Sequence, residues 1–340
     1  MRSSRQTLKL TLLRATPVIL FALVLILFSS LSSRFLSAQN FANIVTQASS
    51  VAVMAIGMTF VLLLAGVDLS VGAAMYVSAA TLGICLPGLP IPLAFVLMAG
   101  LGALFGAVNA SFIVGLRVAA FVTTLATLFI GRGVALWLST TRTILAPERI
   151  LAFGEGTMFG VSLAVWVLVV VFAVAFWVER ATPFGRYLYA IGSDPEGARK
   201  AGIQVRQVMF AVYVFCGMLA GIGGFISWSQ TAAAATTFGY GMEFPVIAAA
   251  VLGGTSLSGG RGSVIGSVFG AVLIQTVQNG LVLINANPYI YPLVTSSIIF
   301  VAVFLDSQRT RVLERLTRRQ IRTEAVGGVV MEVKDKVRAA

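Results

Sequence analysis

The longest stretch of the chain without a basic residue is the feature that most limits its fold. Between Phe35 and Leu116 there are 82 residues, and Asp68 is the only charged one. Between Gly262 and Leu305, another 44 residues carry no charge. One crossing of a lipid bilayer needs about 20 apolar residues, so each stretch is long enough for several helices joined by short turns. The sequence therefore predicts an all-α integral membrane protein.

Composition excludes other classes of protein. Hydrophobic residues make up 58% of the 340 residues and charged residues 11%, whereas an average soluble protein has about 25% charged residues. A soluble fold of this length could not bury so much apolar surface. The net charge of +12 would fit a nucleic-acid partner, but the basic residues flank apolar runs, so none is expected. Histidine is absent, which excludes imidazole-based metal and acid–base chemistry. Cys85 and Cys216 are expected to be free thiols, although a single disulfide stays open.

The sequence predicts three parts: a short start at 1–15, a transmembrane domain at 16–305 and a basic tail at 306–340. The transmembrane domain contains ten apolar segments. The first segment would also suit a signal peptide, but the further spans favour an uncleaved first helix. The eighth segment has only eleven residues, which rise about 16 Å as a helix, half of a hydrocarbon core. The segments are Pro17–Leu31, Ile44–Leu64, Ser70–Leu86, Ile91–Gly115, Ala119–Ser139, Val161–Val178, Gln207–Ser229, Phe244–Gly254, Ser263–Ile284 and Tyr289–Leu305.

The distribution of Lys and Arg predicts how these segments are oriented. With ten crossings and a cytoplasmic amino terminus, 20 of the 24 basic residues fall on the inner side and three on the outer side. Cytoplasmic loops are enriched in Lys and Arg, so both termini are expected in the cytoplasm. The basic tail is expected to attract anionic membrane lipid.

Two glycine-rich breaks interrupt the apolar segments. Glycines flank Asp68 in GVDLSVG, and an acid at membrane depth is by default a functional candidate. The alternative is that Asp68 caps the helix that begins near Ser70, and the two roles are compatible. The second break, Gly253–Gly262, lacks the GxxxxGK[ST] pattern of a phosphate-binding loop. We interpret it as a flexible cytoplasmic turn, with direct contact to substrate as the alternative.

The largest predicted cytoplasmic loop is the segment 179–206, which begins at Glu179. Within it, Asp194 is expected to be the N-cap of a helix, with Pro195 first and Glu196 in the first turn. Gly202 then ends the helix after about two turns. A helix this short is not stable alone in water, so it must dock on the protein's own spans or on a partner.

Four motifs in order make the chain resemble the permease subunit of ribose-type ABC importers: GVDLSVG, FVTTLATLFIGRG, FGRYLYAIGSDPEGARKAGI and AAAVLGGTSLSGGRGSVIGSVFGAVL. The resemblance covers about residues 40 to 305. It implies a type II importer fold with ten spans and two permease copies, identical or not, in a bacterial inner membrane. It also implies two ATP-binding subunits, which hold ATP and Mg, and a periplasmic sugar-binding protein. Asp194 replaces an asparagine common in such proteins, and both cap well. The implied ATPase-coupling residues are Asp194, Pro195, Glu196, Gly197, Arg199 and Gly202.

Polar residues within the apolar segments are candidates for a translocation path. A neutral, hydroxyl-rich monosaccharide needs hydrogen-bonding groups along such a path. The alternative for each residue is a hydrogen bond between helices, and Gly102 and Gly106 are interpreted as a packing face. The candidates are Asp68, Ser70, Asn109, Thr123, Thr127, Glu243, Gln275 and Asn279, with Thr124, Gln230 and Gln278 as further members.

The sequence thus predicts an importer subunit that performs no chemistry of its own and needs no cofactor or metal in this chain. The main alternative is an ion-coupled secondary transporter that uses Asp68 or Glu243 as a proton or sodium site. A membrane-embedded enzyme is disfavoured because no nucleophile motif or pair of acids is present. The identity of the sugar does not follow from the sequence.

Overall fold

The computed structural model of the chain describes residues 18–298, 300, 301 and 304. The start at 1–15 and the tail at 306–340, both predicted to be cytoplasmic, lie outside the described residues. Residues 291–298 are helical and begin a last helix, α13. The other helices are α1 Val18–Leu31, α2 Ala38–Leu63, α3 Val71–Cys85, α4 Ile91–Ala110, α5 Ala120–Ser139, α6 Glu148–Glu155, α7 Leu163–Ala181, α8 Pro183–Ser193, α9 Pro195–Lys200, α10 Val205–Thr231, α11 Glu243–Leu252 and α12 Val264–Leu283.

Six of the described helices are long and apolar enough to cross a membrane: α2, α4, α5, α7, α10 and α12. In this set α4 includes the π-helical turn Ser111–Gly115 that continues it. Three further apolar helices, α1, α3 and α11, are shorter. The predicted all-α membrane class therefore fits, whereas the count of ten spans stays a prediction. The doubtful eighth segment is a helix of ten residues, which rises only about 15 Å.

Helices α2 and α10 form the centre of the bundle. In α2, 78% of the most apolar 18-residue window is buried, against 22% in α4 and in α7. A helix that is apolar on every side is stable only when other helices surround it or lipid does. Helix α10 packs against α4, α2 and α3, while α2 also packs against α12, α11 and α7. The outer helices α4 and α7 bury few of their side chains and leave most of them half-buried or exposed.

Glycines allow α4 and α10 to cross with their backbones in contact. A Cβ atom built at Gly102 would overlap the carbonyl oxygen of Gly217, and one at Gly106 would overlap that of Tyr213. Small residues spaced four apart are the usual means of such close packing in membranes. The interpretation of Gly102 and Gly106 as a packing face is therefore confirmed.

The helices are joined by short irregular segments with little sheet. Strand β1, Ile144–Leu145, pairs antiparallel with β4, Ala233–Ala234, so that Ile144 faces Ala234. Strands β2, Thr157–Met158, and β3, Val161–Ser162, form a small hairpin. The first pair ties the segment after α5 to the segment after α10. The chain then returns into the bundle and starts α11.

Candidate translocation and coupling sites

A turn that carries a buried carboxylate separates α2 from α3. Asp68 is 1% exposed. Its Oδ1 accepts hydrogen bonds from the Ser70 backbone N at 2.9 Å and from the Ser70 hydroxyl at 2.6 Å. The carboxylate thus fixes the backbone immediately before Val71, where α3 begins. The N-cap of α3 is Ser70, so Asp68 holds the residue that starts the helix and is not itself the helix cap that the sequence offered.

The Asp68 turn is bonded to two further helices through buried side chains. Asn109 of α4 donates to the Ser70 hydroxyl at 2.7 Å. Thr127 of α5 donates to the Asn109 side-chain oxygen, also at 2.7 Å. These four side chains, from Thr127 to Asp68, form a continuous chain that we call the Asp68 network. All four are buried, so the network joins α3, α4 and α5 inside the bundle.

Two polar atoms beside the Asp68 network are left without a bond. Neither Asp68 Oδ2 nor the Tyr213 hydroxyl makes a hydrogen bond with another described residue. Tyr213 and the buried free thiol of Cys216 lie on α10 and interact electrostatically with Asp68. Most buried polar atoms in proteins are hydrogen-bonded. Asp68 therefore keeps the capacity for one more hydrogen bond.

The start of α11 meets the start of α3 inside the bundle. A Cβ atom built at Gly72 would overlap the Gly239 carbonyl oxygen and would lie 3.1 Å from Glu243 Oε2. Glu243 is 8% exposed and is the first residue of α11. Arg132 of α5 interacts electrostatically with Glu243 and lies 4.8 Å from the centre of the Tyr240 ring. An acidic residue from α11 and a basic residue from α5 thus lie near the place where α3 and α11 begin.

Amide side chains connect α12 to α2. Asn279 and Asn40 exchange two hydrogen bonds, at 2.9 and 3.0 Å, and both residues are buried. Gln275 donates to Gln47 at 2.7 Å on the exposed side of the same helix pair. Gln278, nearly one turn further along α12, makes no hydrogen bond with another described residue. The amides therefore hold the helices together, and some of them retain unused donors and acceptors.

The remaining path candidates are Thr123, Thr124 and Gln230. Thr123 is buried, and its hydroxyl has no hydrogen-bond partner in the described part of the chain. Thr124 donates to the carbonyl oxygen of Ala120 in its own helix at 2.9 Å and also lies 3.4 Å from that of Val67, beside Asp68. Gln230 of α10 donates to the Thr46 carbonyl oxygen of α2 at 2.9 Å. The predicted path residues thus lie at separate places: the Asp68 network, the α11 start, the α12 amides and Thr123.

The predicted short helix is present as α9. Asp194 caps it by accepting a hydrogen bond from the Glu196 backbone N at 3.1 Å, and Pro195 is its first residue. Gly202 follows the helix with φ +84° and donates to the Arg199 carbonyl oxygen at 3.0 Å. The predicted helix bounds are therefore confirmed. Gly197 is half-buried, whereas the other five predicted coupling residues, Asp194, Pro195, Glu196, Arg199 and Gly202, are exposed.

Helix α8, which precedes α9, is fixed to two other parts of the bundle. A Cβ atom at Gly192 would overlap the Leu63 carbonyl oxygen, at the end of α2. The same Leu63 oxygen accepts a hydrogen bond from the Gly260 backbone N at 2.9 Å. Gly260 belongs to the glycine-rich break between α11 and α12. This break is therefore a turn, as the sequence predicted, and it is bonded to α2, whereas its flexibility stays a prediction.

A buried carboxylate joins α7, α8 and α12. Glu179, in the last turn of α7, is 3% exposed. It accepts hydrogen bonds from the Tyr189 hydroxyl at 2.5 Å and from the Val264 backbone N at 3.1 Å. Tyr189 also lies 3.0 Å from the carbonyl oxygen of Gly262. Burial, followed by the hydrogen bond to Glu179, raises the pKa of Tyr189, so the hydroxyl stays protonated and donates.

The sequence predicted that the cytoplasmic loop begins at Glu179, whereas in the structure Glu179 lies in the last turn of α7, which continues to Ala181. The loop between α7 and α8 begins only at Thr182, and the Glu179 side chain caps the start of α12 instead. Helix α8 was also missed, although Thr182 followed by Pro183 is a recognisable helix start. The partners of the α12 amides, Asn40 and Gln47, were missed too. Polar residues at positions 40, 43 and 47, which share one face of α2, were the signal that could have revealed them.

Interrupted apolar helices, polar groups held between them and an exposed charged helix at one end are features of membrane transport subunits. Within the described residues, no group of three or more His, Cys, Asp or Glu side chains is placed to hold a metal ion. Comparison with known proteins identifies the family. The family model described as "Branched-chain amino acid transport system / permease component" matches residues 40–305. The chain belongs to this family of permease components.

Individual relatives resemble the chain over nearly its whole length. The ribose import permease protein RbsC of Escherichia coli K12 is 36% identical over 310 residues, which cover 88% of this chain and 96% of that protein. RbsC of Bacillus subtilis 168 is 36% identical, with coverages of 86% and 91%. The autoinducer 2 import system permease protein LsrC of Escherichia coli O9:H4 is 31% identical, covering 90% of each chain. No solved structure matches the chain. The chain is a transport subunit and not an enzyme.

Proposed function

We propose that this chain is the membrane-spanning permease of an ATP-driven importer for a monosaccharide or a sugar-like solute. Its relatives import ribose and autoinducer 2. ATP and Mg are held by separate ATP-binding subunits. A periplasmic binding protein delivers the solute, and a second permease copy completes the transporter. The permease switches between outward and inward access as the ATP-binding subunits move.

The observation that supports this proposal most strongly is the set of contacts between the α8–α9 segment and the rest of the bundle. The helix exposes its charged side chains, yet the α8–α9 segment is attached to α2 through Gly192 and to α12 through Tyr189 and Glu179. A movement of α9 that is caused by a partner would therefore be transmitted to α2 and α12. This is the mechanical connection that an external ATPase needs between an exposed helix and the bundle.

We further propose ten spans with both termini in the cytoplasm of a bacterial inner membrane. The excess of Lys and Arg on one side supports this orientation. The α8–α9 segment, with three of the five basic residues of segment 179–206, then lies at the cytoplasmic surface. In this orientation the predicted path residues of the Asp68 network, between α3, α4 and α5, and those of α12 lie within the membrane layer.

Purification of the tagged chain from native membranes in mild detergent tests the proposal. An ATP-binding subunit and a soluble binding protein should co-purify, and uptake by the reconstituted complex should require both of them and ATP. The buried Asp68, whose Oδ2 has no hydrogen bond within the described chain, makes ion coupling the alternative to exclude. Uptake driven by an ion gradient in vesicles that contain this chain alone would disprove ATP-driven import.

A further inference from the structure

A polar cavity of about 380 Å³ lies between α2, α12 and α13. Its walls carry amide and hydroxyl groups, and no charged side chain lines it among the described residues. Gln47 is exposed, while Gln275 and Gln278 are half-buried. The residues that line it are Gln47, Gln275, Gln278, Asn279, Val282, Tyr291, Pro292 and Thr295.

The amides of this cavity lie near the middle of helices that are long enough to span a membrane. Gln275 is the twelfth of the 20 residues of α12, so it lies about 16 Å along the helix. Gln47 is the tenth of the 26 residues of α2, about 14 Å along it. Side-chain amides that face hydrocarbon lose their hydrogen bonds to water. Polar groups at this depth therefore face protein or a water-filled space.

A second cavity of the same bundle shows the contrast. It has a volume of about 460 Å³ and lies between α4, α6, α7 and α10. Only apolar and aromatic side chains line it, among them Phe95, Val170 and Leu219. This face suits lipid chains. Of these two cavities, only the one between α2, α12 and α13 has side-chain amides near the middle of its helices.

The groups of the polar cavity define the chemistry of a ligand. Each amide offers two donors and an oxygen acceptor, and Gln278 uses none of them with another described residue. The Gln47–Gln275 bond and the Asn40–Asn279 pair leave further donors and acceptors unused. Because the described walls of the cavity carry no charge, it suits a neutral molecule with many hydroxyl groups. The volume is at the lower end of the range of small-molecule sites.

We propose that this cavity is a water-filled site where the imported solute contacts the permease, and that the solute is neutral, hydroxyl-rich and of monosaccharide size. The proposal rests on the proposed importer function and assigns the contact to Gln47, Gln275 and Gln278. The Asp68 network is then a structural element of the bundle, because its side chains are already bonded to one another. Solute passes along the α2–α12 face.

Thiol labelling of the complete transporter in membranes tests this site. Cys85, which is exposed, is first replaced by alanine, and Gln278→Cys is then introduced. Val170→Cys is the matched control, because Val170 is 60% exposed and is the eighth of the 19 residues of α7. A charged, water-soluble methanethiosulfonate reagent reacts with the thiolate, which forms only in contact with water. We expect labelling at position 278 to be at least ten times faster than at position 170.

Three outcomes would overturn the proposal. Equally slow labelling at both positions would place the α2–α12 face against lipid. A disulfide that joins the position-278 thiols of two neighbouring copies, without labelling, would make the face a closed contact between permeases. Fast labelling that is not slowed by a monosaccharide that the reconstituted transporter takes up would leave a water-filled space without solute contact. Thr295→Cys serves as the second variant if the first does not reach the membrane.

These outcomes are separate from a failure of the proposed function. The proposed function fails if no ATP-binding subunit co-purifies or if the chain transports solute alone. If the transporter with Gln278 intact imports a monosaccharide with ATP, and the Gln278→Cys variant assembles with its ATP-binding subunits but keeps an unreactive thiol, only the solute site is disproved.

Discussion

The Asp68 network and helix α9 use polar residues in opposite ways. In the network, Asp68, Ser70 and Asn109 are buried and bonded to one another across helices. In α9, Glu196 and Arg199 form an ion pair at 3.0 Å, but their side chains are 70% and 69% exposed. The first arrangement holds the bundle together. The second leaves its charges accessible to a partner.

This difference separates residues that specify the fold from residues that serve contacts. A buried polar group that loses its partner costs about 1–3 kcal/mol, so the network contributes to stability. An exposed ion pair contributes about 0–1 kcal/mol, so the fold does not depend on the pair in α9. Variants of the interior should therefore change stability, and variants of α9 should change transport.

The largest loss of stability is expected where interior backbones touch. Gly106→Leu places a side chain where even a Cβ atom would overlap the Tyr213 carbonyl oxygen. Overpacking of a close contact costs about 1–3 kcal/mol and sometimes more, so we expect little folded protein. Gly133→Leu is the control, because a Cβ atom at Gly133 meets nothing within 4 Å. Fluorescence-detected size-exclusion chromatography measures the folded yield. Equal yields would contradict close packing of α4 on α10.

The next effect is expected in the Asp68 network itself. Asn109→Leu removes the donor to Ser70 and the acceptor for Thr127, so two buried hydroxyls lose a partner. The expected destabilisation is about 1–3 kcal/mol, measured by thermal unfolding in detergent. Ser111→Ala, two residues away, removes an exposed hydroxyl that bonds only to its own helix. This control should change stability by less than about 0.5 kcal/mol. A similar loss in both variants would show that the network is not structural.

The sequence predicted the local features of α9 better than it predicted which side chains of the Asp68 network contact one another. Asp194, Pro195 and Gly202 act within one stretch of chain, and each has a steric or capping preference that can be read directly. The contact of Asn109 with Ser70 instead depends on how α4 packs on α3. Polarity within apolar segments therefore identified the members of the network, but only tertiary packing joined them.

The same limit explains why Glu179 was misplaced. Its charge and its position at the end of an apolar run are typical of a residue at the edge of a membrane. Its partners, however, are Tyr189 on α8 and the start of α12 at Val264, which is 85 residues away along the chain. No local pattern reports such a contact. The predicted membrane class depended on composition and on the long stretches without charge, and the six long apolar helices fit it.

A smaller effect is expected at the Glu179 junction, which joins α7, α8 and α12. Glu179→Gln keeps the shape of the side chain but offers one carbonyl oxygen to two donors, so one hydrogen bond is lost. We expect a destabilisation of about 1–2 kcal/mol and partly reduced ATP-driven uptake.

A double-mutant cycle with Tyr189→Phe isolates the bond at this junction. The two changes should be non-additive by at least about 0.5 kcal/mol. Tyr187→Phe on the exposed side of α8 is the control and should be additive with Glu179→Gln. Additivity in both cycles would show that the Glu179–Tyr189 bond does not support the α8–α9 segment.

The smallest effect on stability, with the largest effect on transport, is expected in α9. The double variant Glu196→Lys, Arg199→Glu keeps an opposite-charge pair at the same spacing of three residues. The reversed charges oppose the helix dipole, which costs less than about 1 kcal/mol at an exposed site. Insertion and thermal stability should therefore be nearly unchanged, whereas retention of the ATP-binding subunit and ATP-driven uptake should be lost.

A charge reversal at α6 is the control for the variant of α9. It tests whether the ATP-binding subunit is lost because of the position of the changed charges or because of any change of charge. Glu148→Arg with Arg149→Glu reverses two neighbouring charges on a helix that is remote in sequence from α9, and the complex should keep its ATP-binding subunit. Loss of the subunit in both variants would indicate a general sensitivity to charge. Uptake that survives the α9 swap would remove α9 from the coupling contact, and the exposed pair would then be only a solvated turn of helix. Loss in the α9 variant alone, without a change in stability, is the outcome that distinguishes a contact residue from a fold-determining one.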